Sequence, residues 1–295
     1  MIKTILLSFV CAASLSLPVK TYASAMASPD SSKTAIVPPV RKDTVNIWIP
    51  TMVTGLNLSQ IAFSNWTQGG SNSLAWTANA NLGYDYKGTT WGLVNHLQAS
   101  YGRTKLGGQN SILTDNNLML TNVLTYDIGW PTNPFFSNTI ITAITTGYSY
   151  SQTPAIAVAD FFDPGYVTQS LGLSYSELKN FSTRLGIAAQ EVFANRFRTF
   201  VKSPTIPNTV QGGIQSVSQG EFTIADNILV TSGLTLFSRF NSLDVWDVRW
   251  DNLIVAKVNS FINVNFTYDL VYMKDQSLRT QMKEGLQVGI VYTMF

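Results

Sequence analysis

Apolar and polar residues alternate with a period of two along most of the chain. From Trp76 to Tyr86 the even positions are apolar or aromatic, and the odd positions between them include Thr77, Asn79 and Asp85. The same rule holds in segments that begin near Trp91, Leu118, Phe181, Ile228 and Ile262. Alternation of this kind predicts β-strands with one apolar and one polar face.

The length of these segments indicates a membrane protein. They run for about 14–17 residues, whereas strands of globular sheets usually have 5–6. A tilted strand needs only ~9–11 residues to cross the hydrocarbon of a bilayer. Leu, Ile, Val and aromatic residues on one face suit lipid, and Asn, Thr, Ser, Gly and Gln on the other suit a wet lumen. The fold class predicted is all-β: a transmembrane antiparallel up-and-down β-barrel of about twelve strands with both termini in the periplasm. A soluble β-sandwich is the alternative.

The connections between strands support this topology. With the first strand starting in the periplasm near Thr51, the periplasmic turns should be short. They are predicted at Lys87–Thr89, Trp130–Asn138, Glu177–Asn180, Ala225–Asn227 and Lys257–Asn259. The outer connections are predicted at Arg103–Asp115, Thr153–Asp163, Ala194–Val210, Asn241–Leu243 and Lys274–Met282, and most of them are longer.

The N-terminal segment resembles a secretory signal. Lys3 precedes an apolar run from Ile5 to Leu17, which is too short to span a bilayer comfortably. The domains predicted are a signal peptide at 1–27, a flexible periplasmic tail at 28–44 and an outer-membrane barrel at 45–295. Cleavage is predicted after Ala23, Ala25 or Ala27, and an uncleaved N-terminal anchor is the alternative.

Composition narrows the possible chemistry. Charged residues make up 12% of the chain, about half of the ~25% that is typical of soluble domains. The only cysteine, Cys11, lies in the predicted signal, so the mature chain should have no thiol, as suits an oxidising compartment. Loss of Lys3 and Lys20 would balance the charges of the mature chain, which argues against a nucleic-acid partner. We expect no cofactor and no metal site, because a single histidine and scattered acids have no ligand spacing.

The C-terminus ends in an alternating strand closed by an aromatic residue, Phe295. Such an ending resembles the signal by which barrels are recognised for insertion. The partners predicted are therefore outer-membrane lipid, lipopolysaccharide and the barrel-insertion machinery. The sequence leaves the oligomeric state open.

One segment carries a family resemblance. The stretch from Asn57 to Trp76 contains the pattern Asn-Trp-x-x-Gly-Gly-x-Asn-Ser, with weaker matches at Tyr101–Gly102 and Asp160–Tyr166. It resembles an uncharacterised group of Bacteroidetes-type outer-membrane proteins with a domain of unknown function, over residues 45–295. A Lys-x-Asp-Asp-like element expected near Asp115 is incomplete. The resemblance implies an outer-membrane β-barrel and no particular activity.

The residue types of the motif indicate the first outer turn of the barrel. Gly69 and Gly70 permit positive φ in a tight reversal. Asn65 and Asn72 can bond the turn backbone, and Trp66 either anchors at the interface or folds into the lumen. Structural closure of the first two strands is the simpler interpretation, and a polar ligand contact at the barrel mouth is the other.

Charged residues converge at one place. The inward parity of three consecutive strands carries Arg239, Asp247, Arg249, Asp251 and Asp269. This predicts an ion-pair network in the lumen below the outer mouth, either a structural network or a constriction that filters solutes. His96, the only histidine, also has inward parity, and no nucleophile or acid spaced beside it suggests catalysis.

Two classes of function follow. The first is a pore or transporter for a small solute, and the second is a structural or surface-interaction barrel with a filled lumen. An outer-membrane enzyme is a distant third possibility, and we expect no catalytic activity.

Overall fold

The computed structural model describes residues 46–63, 71–150, 153–178, 180–197, 208–274 and 279–293. Twelve antiparallel strands in this part of the chain form a closed barrel, which confirms the all-β, up-and-down barrel architecture and the strand number predicted from the alternation. Within the described ranges no helix is long and apolar enough to cross a membrane. The predicted signal, the predicted tail and Phe295 lie outside the described residues.

The barrel strands follow one another around the ring in chain order, and β14 closes it against β1. Their bounds are β1 Ile47–Ile61, β2 Ser73–Lys87, β3 Trp91–Leu106, β4 Ile112–Tyr126, β5 Thr132–Thr142, β8 Gly165–Tyr175, β9 Phe181–Phe193, β10 Asn208–Ala225, β11 Ile228–Arg239, β12 Asp247–Lys257, β13 Ile262–Tyr272 and β14 Gln281–Thr293. Two short strands between β5 and β8, β6 Gly147–Ser149 and β7 Ile156–Ala159, form a separate hairpin.

The alternation places apolar residues on the outside of the barrel. On β9, Leu185 and Ile187 face outward with 58% and 59% of their surface exposed, and Ala188 between Ile187 and Ala189 is buried. A soluble sheet would bury its apolar face, so this outward apolar band identifies the lipid-facing surface. The β-sandwich alternative is therefore wrong.

Aromatic pairs mark the two edges of this band. At the end where β1 begins and β14 ends, called the terminal end below, Trp48 stacks on Tyr84 with ring centroids 4.6 Å apart. Trp91 and Tyr126 meet there at 4.4 Å. At the opposite end, the distal end, Trp76 contacts Tyr101 at 5.9 Å. Amphipathic rings at two levels are typical of the two interfaces of a bilayer.

Two of the predicted connections are misplaced. The predicted turn Trp130–Asn138 is mostly strand, because β5 already begins at Thr132. Pro134 lies within this predicted turn, yet it pairs with Leu173 near the start of β5, where a missing N–H is tolerated. The predicted loop Arg103–Asp115 is also mostly strand, since β3 runs to Leu106 and β4 begins at Ile112. Polar residues there project beyond the lipid, where strand pairing needs no apolar face.

The hairpin β6–β7 was not predicted. Strand β6 lies just before the predicted connection Thr153–Asp163, and strand β7 lies within it. The two strands have only 3 and 4 residues. Segments this short carry too little alternation to be recognised. The remaining predicted connections agree in place with the structure to within a few residues, although the connection at Asn241–Leu243 is longer, at 240–246.

Candidate functional site: a charge cluster in the distal half of the lumen

The five predicted charged residues all face the lumen on neighbouring strands near the distal end. Arg239 ends β11 and Asp247 begins β12, where Asp247 pairs with Phe237. Further along β12, Asp251 pairs with Asp269 of β13. The structure adds two residues, Asp115 and Lys283, and the seven together are called the distal charge cluster below.

One ion pair of the cluster is buried. Arg239 Nη2 lies 2.7 Å from Asp247 Oδ2, and their side chains are 11% and 9% exposed. Arg239 Nε also donates to Gln211 of β10. The pair therefore ties β10, β11 and β12 together at the distal end, and its shielding from water indicates a structural role.

A second pair stands open to the lumen. Arg249 Nε donates to Asp251 Oδ2 at 2.8 Å, and the two side chains are 35% and 43% exposed. Asp269 lies beside them on β13 and interacts electrostatically with Asp251, Arg249, Lys283 and Asp115. Arg249, Asp251 and Asp269, called the open part of the cluster below, therefore present charge to the lumen.

A third pair crosses the lumen. Lys283 of β14 contacts Asp115 of β4, although β1, β2 and β3 lie between these two strands around the ring. Asp115 also accepts a hydrogen bond from Thr77 Oγ1 of β2 at 3.3 Å. Gly102 of β3 permits this reach, because a Cβ there would stand 2.7 Å from Thr77 Oγ1. The contact joins two parts of the barrel wall that are separated by three strands, and it reduces the free cross-section of the lumen at this level.

Asp115 and Lys283 could have been found from parity. The outward set Leu286 and Val288 extends back to Met282, which leaves Lys283 on the inward face with Gln287. Both residues were instead assigned to, or next to, predicted loops. Even with the strand bounds known, their contact across three strands depends on the shape of the closed barrel.

A chamber lined by both polar and apolar residues lies on the terminal side of this bridge. It has a volume of about 220 Å³ and is lined by Asn57, Asn79, Gln98, Asn117, Asn265 and Thr267, among others. Its lining includes both Leu253 of β12 and Asn117 of β4, which stand on opposite walls of the ring. Asn265 Nδ2 donates to Asn57 Oδ1 at 3.0 Å across β14, where a Cβ at Gly289 would stand 2.4 Å from Asn57 Oδ1. The chamber therefore spans the lumen and offers amide and hydroxyl groups.

Part of the lumen is filled with apolar side chains. The inward-facing residues with 6% exposure or less include Val53, Val123, Phe135, Leu229 and Val255. Arg184 of β9 places its guanidinium 5.9 Å from the ring centroid of Phe135. The sequence predicts a lumen lined by Asn, Thr, Ser, Gly and Gln. The lumen of the structure is more apolar than that, because valine and phenylalanine also occur at inward positions.

His96 has a partner that the sequence did not reveal. Its Nε2 lies 3.0 Å from Asp85 Oδ1, and the side chains are 4% and 1% exposed. Asp85 precedes His96 on the neighbouring strand β2, and it also accepts a hydrogen bond from the Asn95 backbone N–H at 3.2 Å. Such burial keeps the pair from lipid and from lumen solutes, so the geometry is structural.

The family motif is only partly described. Asn65, Trp66, Gly69 and Gly70 lie outside the described residues. Asn72 is described, and its Oδ1 accepts a hydrogen bond from the Phe63 backbone N–H at 2.7 Å. This bond links the two sides of the β1–β2 connection, as expected for a residue that closes a turn. Among the described residues, no group of three or more His, Cys, Asp or Glu could hold a metal ion.

The closed ring of twelve strands, its outward apolar band and its aromatic edges define an outer-membrane β-barrel. A family model described as "Protein of unknown function (DUF3078)" matches residues 58–148. The match covers less than half of the chain and includes the motif segment, and it agrees with the resemblance to an uncharacterised family. A comparison with curated proteins finds no match.

Solved structures of other barrels are similar to this chain over most of its length. The NanC porin is 11% identical with a TM-score of 0.40, covering 83% of this chain and 100% of that one. An outer membrane channel from Pseudomonas putida F1 is 12% identical with a TM-score of 0.38, covering 85% and 95%. The translocator domain of the autotransporter NalP from Neisseria meningitidis is 11% identical with a TM-score of 0.35, covering 85% and 90%. Likeness at this level identifies no solute and no mechanism.

Proposed function

We propose that the barrel is a pore for small polar solutes and that the open part of the distal charge cluster sets a preference for cations. The observation that carries this proposal is the surplus carboxylate Asp269. Three pairs, Arg239–Asp247, Arg249–Asp251 and Lys283–Asp115, balance their own charges. Asp269 has no hydrogen bond or ion pair of its own among the described residues and faces the same water as Arg249 and Asp251.

The chamber beneath the cluster supports the same proposal. A solute that passes the charged level enters a space whose lining includes amides and hydroxyls beside Val53 and Leu253, and these polar groups can replace part of its hydration. The half-exposed pair Arg249–Asp251 contributes little to stability, about 0–1 kcal/mol. Because this pair contributes so little to stability and faces the lumen, its presence is better explained by an effect on ions that pass through the barrel.

Conductance in planar lipid bilayers tests the pore. We expect discrete current steps from the purified protein and a reversal potential in a KCl gradient that shows preference for K⁺. Removing one charge changes the energy of an ion about 4 Å away by ~1 kcal/mol in water, which is about fivefold in relative occupancy. Arg249→Ala and Lys283→Ala should therefore raise the preference for K⁺, and Asp269→Asn should lower it.

A matched control separates this effect from a change in net charge. Arg103 is also near the distal end, but it faces outward and bonds Ser111 and Tyr101, so Arg103→Ala should leave the ion preference unchanged. A change in ion preference as large for Arg103→Ala as for Arg249→Ala would contradict the assignment of the filter to the lumen.

The second candidate is a structural or surface-interaction barrel with a filled lumen. The observation that favours it is the apolar filling formed by Val53, Val123, Phe135, Leu229 and Val255. In that case neither the wild-type protein nor Lys283→Ala would conduct above the leak of the bilayer. Folded protein without current steps would thus exclude the pore and leave this alternative. We propose no enzymatic activity, because the buried Asp85–His96 pair is closed to substrates.

We also propose that both termini are periplasmic. Support comes from the connections: those at the terminal end, such as 88–90 and 226–227, are short, whereas 143–164 and 194–207 at the distal end are long. In a Cys11→Ser background, a membrane-impermeant maleimide should label Phe161→Cys on intact cells and leave Glu177→Cys unlabelled. The reverse pattern would invert the topology. We propose likewise that the barrel interacts with outer-membrane lipid and lipopolysaccharide, and that the C-terminal segment, whose last residue is Phe295, is recognised by the insertion machinery.

A further inference from the structure

Four amide side chains form a continuous row on the lipid-facing surface of the barrel. Asn95 of β3 pairs with Asn122 of β4, which pairs with Asn138 of β5. Asn138 in turn pairs with Gln169 of β8. These four residues, called the amide row below, share the outward parity of their strands and stand side by side across four neighbouring strands.

The row lies inside the apolar band. On every strand the outward residues two positions before and after the amide are apolar, and they are Leu93 and Leu97, Leu120 and Leu124, Phe136 and Ile140, and Val167 and Leu171. Several of these neighbours are well exposed, among them Leu171 at 56% and Phe136 at 45%. The amides are therefore surrounded by residues that contact hydrocarbon.

Hydrogen bonds satisfy only one end of the row. Asn95 Nδ2 donates to the Tyr84 carbonyl at 2.8 Å, and Asn122 Nδ2 donates to Asn95 Oδ1 at 2.8 Å. At the other end, Asn138 Oδ1 is buried beneath its neighbours without a hydrogen-bond partner among the described residues. Gln169 is exposed, and within the described part of the chain its amide forms no hydrogen bond. Hydrocarbon offers no hydrogen-bond donor or acceptor, so contact between lipid and the unbonded amides at this end of the row costs free energy.

A second set of outward polar groups shows that the chain can satisfy such residues internally. On the far side of the barrel, Trp250 Nε1 donates to Ser232 Oγ at 2.9 Å, and Ser232 Oγ donates to Asn252 Oδ1 at 2.8 Å. Asn252 Nδ2 completes the chain by donating to the Tyr268 carbonyl at 3.1 Å. This network needs nothing from outside. The open end at Asn138 and Gln169 is therefore a particular property of the β5–β8 wall.

We infer that the amide row is the contact surface through which two copies of this chain associate in the membrane. A primary amide carries both a donor and an acceptor, so it can bond to another copy of itself across a two-fold axis. The four amides themselves carry no charge, so one row can pair with an identical row, and a water-soluble partner cannot reach them inside the apolar band. Polar side chains that bond across an interface are a recognised source of association between membrane-embedded elements.

Cross-linking in the membrane tests the contact. In a Cys11→Ser background, oxidation of outer membranes should join two copies of Gln169→Cys in a disulfide-linked dimer on a non-reducing gel. Val288→Cys is the matched control, because Val288 is 52% exposed on β14, on the wall opposite to β8. Cross-linking of Val288→Cys as strong as that of Gln169→Cys would overturn the assignment, and so would capture of a different polypeptide at position 169.

A second measurement uses the purified barrel in detergent micelles. Sedimentation should show a dimer of the wild-type protein, and the double variant Asn138→Leu/Gln169→Leu should have a dissociation constant at least about tenfold higher. Retention of the heat-modifiable gel band would show that the variant folds. Gln190→Leu is the control of the same residue type, since Gln190 faces inward on β9 and donates to Thr168 Oγ1. A monomeric wild-type protein, or a folded double variant that associates as well as wild type, would exclude the proposal.

Discussion

Replacing Arg239 with alanine should destabilise the barrel by about 3–5 kcal/mol, the range for breaking a buried ion pair. Asp247 would keep its charge in a site where its side chain is 9% exposed and would lose the guanidinium 2.7 Å away. The matched variant is Arg249→Ala, which removes the same side chain from a pair that is 35% and 43% exposed. Its cost should be only about 0–1 kcal/mol, because water screens the remaining carboxylate.

Urea titration of the barrel in phospholipid vesicles, followed by tryptophan fluorescence, measures both values. Equal penalties for the two arginine variants would show that burial does not distinguish the pairs. The double variant Arg239→Met/Asp247→Leu is a further check, since removal of both charges should recover most of the loss. Failure to recover would mean that the shape of the Arg239 side chain, and its bond to Gln211, matters more than the orphaned charge.

Replacing Ile187 with arginine should destabilise the barrel by about 2–4 kcal/mol, the range for a cation on the lipid face near mid-depth. Ile187 is 59% exposed near the middle of β9, and it pairs with Leu171 and Ile214 on the neighbouring strands. The new guanidinium would therefore lie in hydrocarbon.

Gln215→Arg is the control for this variant. Gln215 pairs with Gly186 on β9, so it lies at nearly the same depth but faces the lumen. Water and polar groups there should keep its penalty well below that of Ile187→Arg, as measured by the same urea titration. A larger penalty at position 215 would mean that this section of the lumen is as dry as the lipid, which would favour the filled barrel.

The comparison of Arg239→Ala with Arg249→Ala separates the roles within the distal charge cluster. The buried pair Arg239–Asp247 is a structural link between strands, and removing it should cost stability. The residues Arg249, Asp251, Asp269 and Lys283 are more open to the lumen, and changing them should alter conductance at little cost in stability. The five residues predicted from the sequence therefore belong to two environments that differ in exposure.

The sequence by itself determined the class of the protein. Alternation assigns each residue of a strand to one of two faces, because successive side chains point to opposite sides of a sheet. Strand type, strand number and the inward parity of Arg239, Asp247, Arg249, Asp251 and Asp269 follow from that rule alone. Bounds were less accurate where proline or charged residues, as at Pro134 and Arg103, resemble turns although the strand continues.

Only the tertiary structure decided which residues meet. The contact of Lys283 with Asp115 depends on closure of the ring, and the Asp85–His96 pair depends on the register between β2 and β3. The alternation predicts that each member of the amide row faces outward on its own strand. That the four amides are neighbours follows only from the registers of the four strands. Parity is a property of each residue along its own strand, whereas register and barrel shape arise from all twelve strands together, and the chemistry of the lumen and of the lipid-facing surface depends on them.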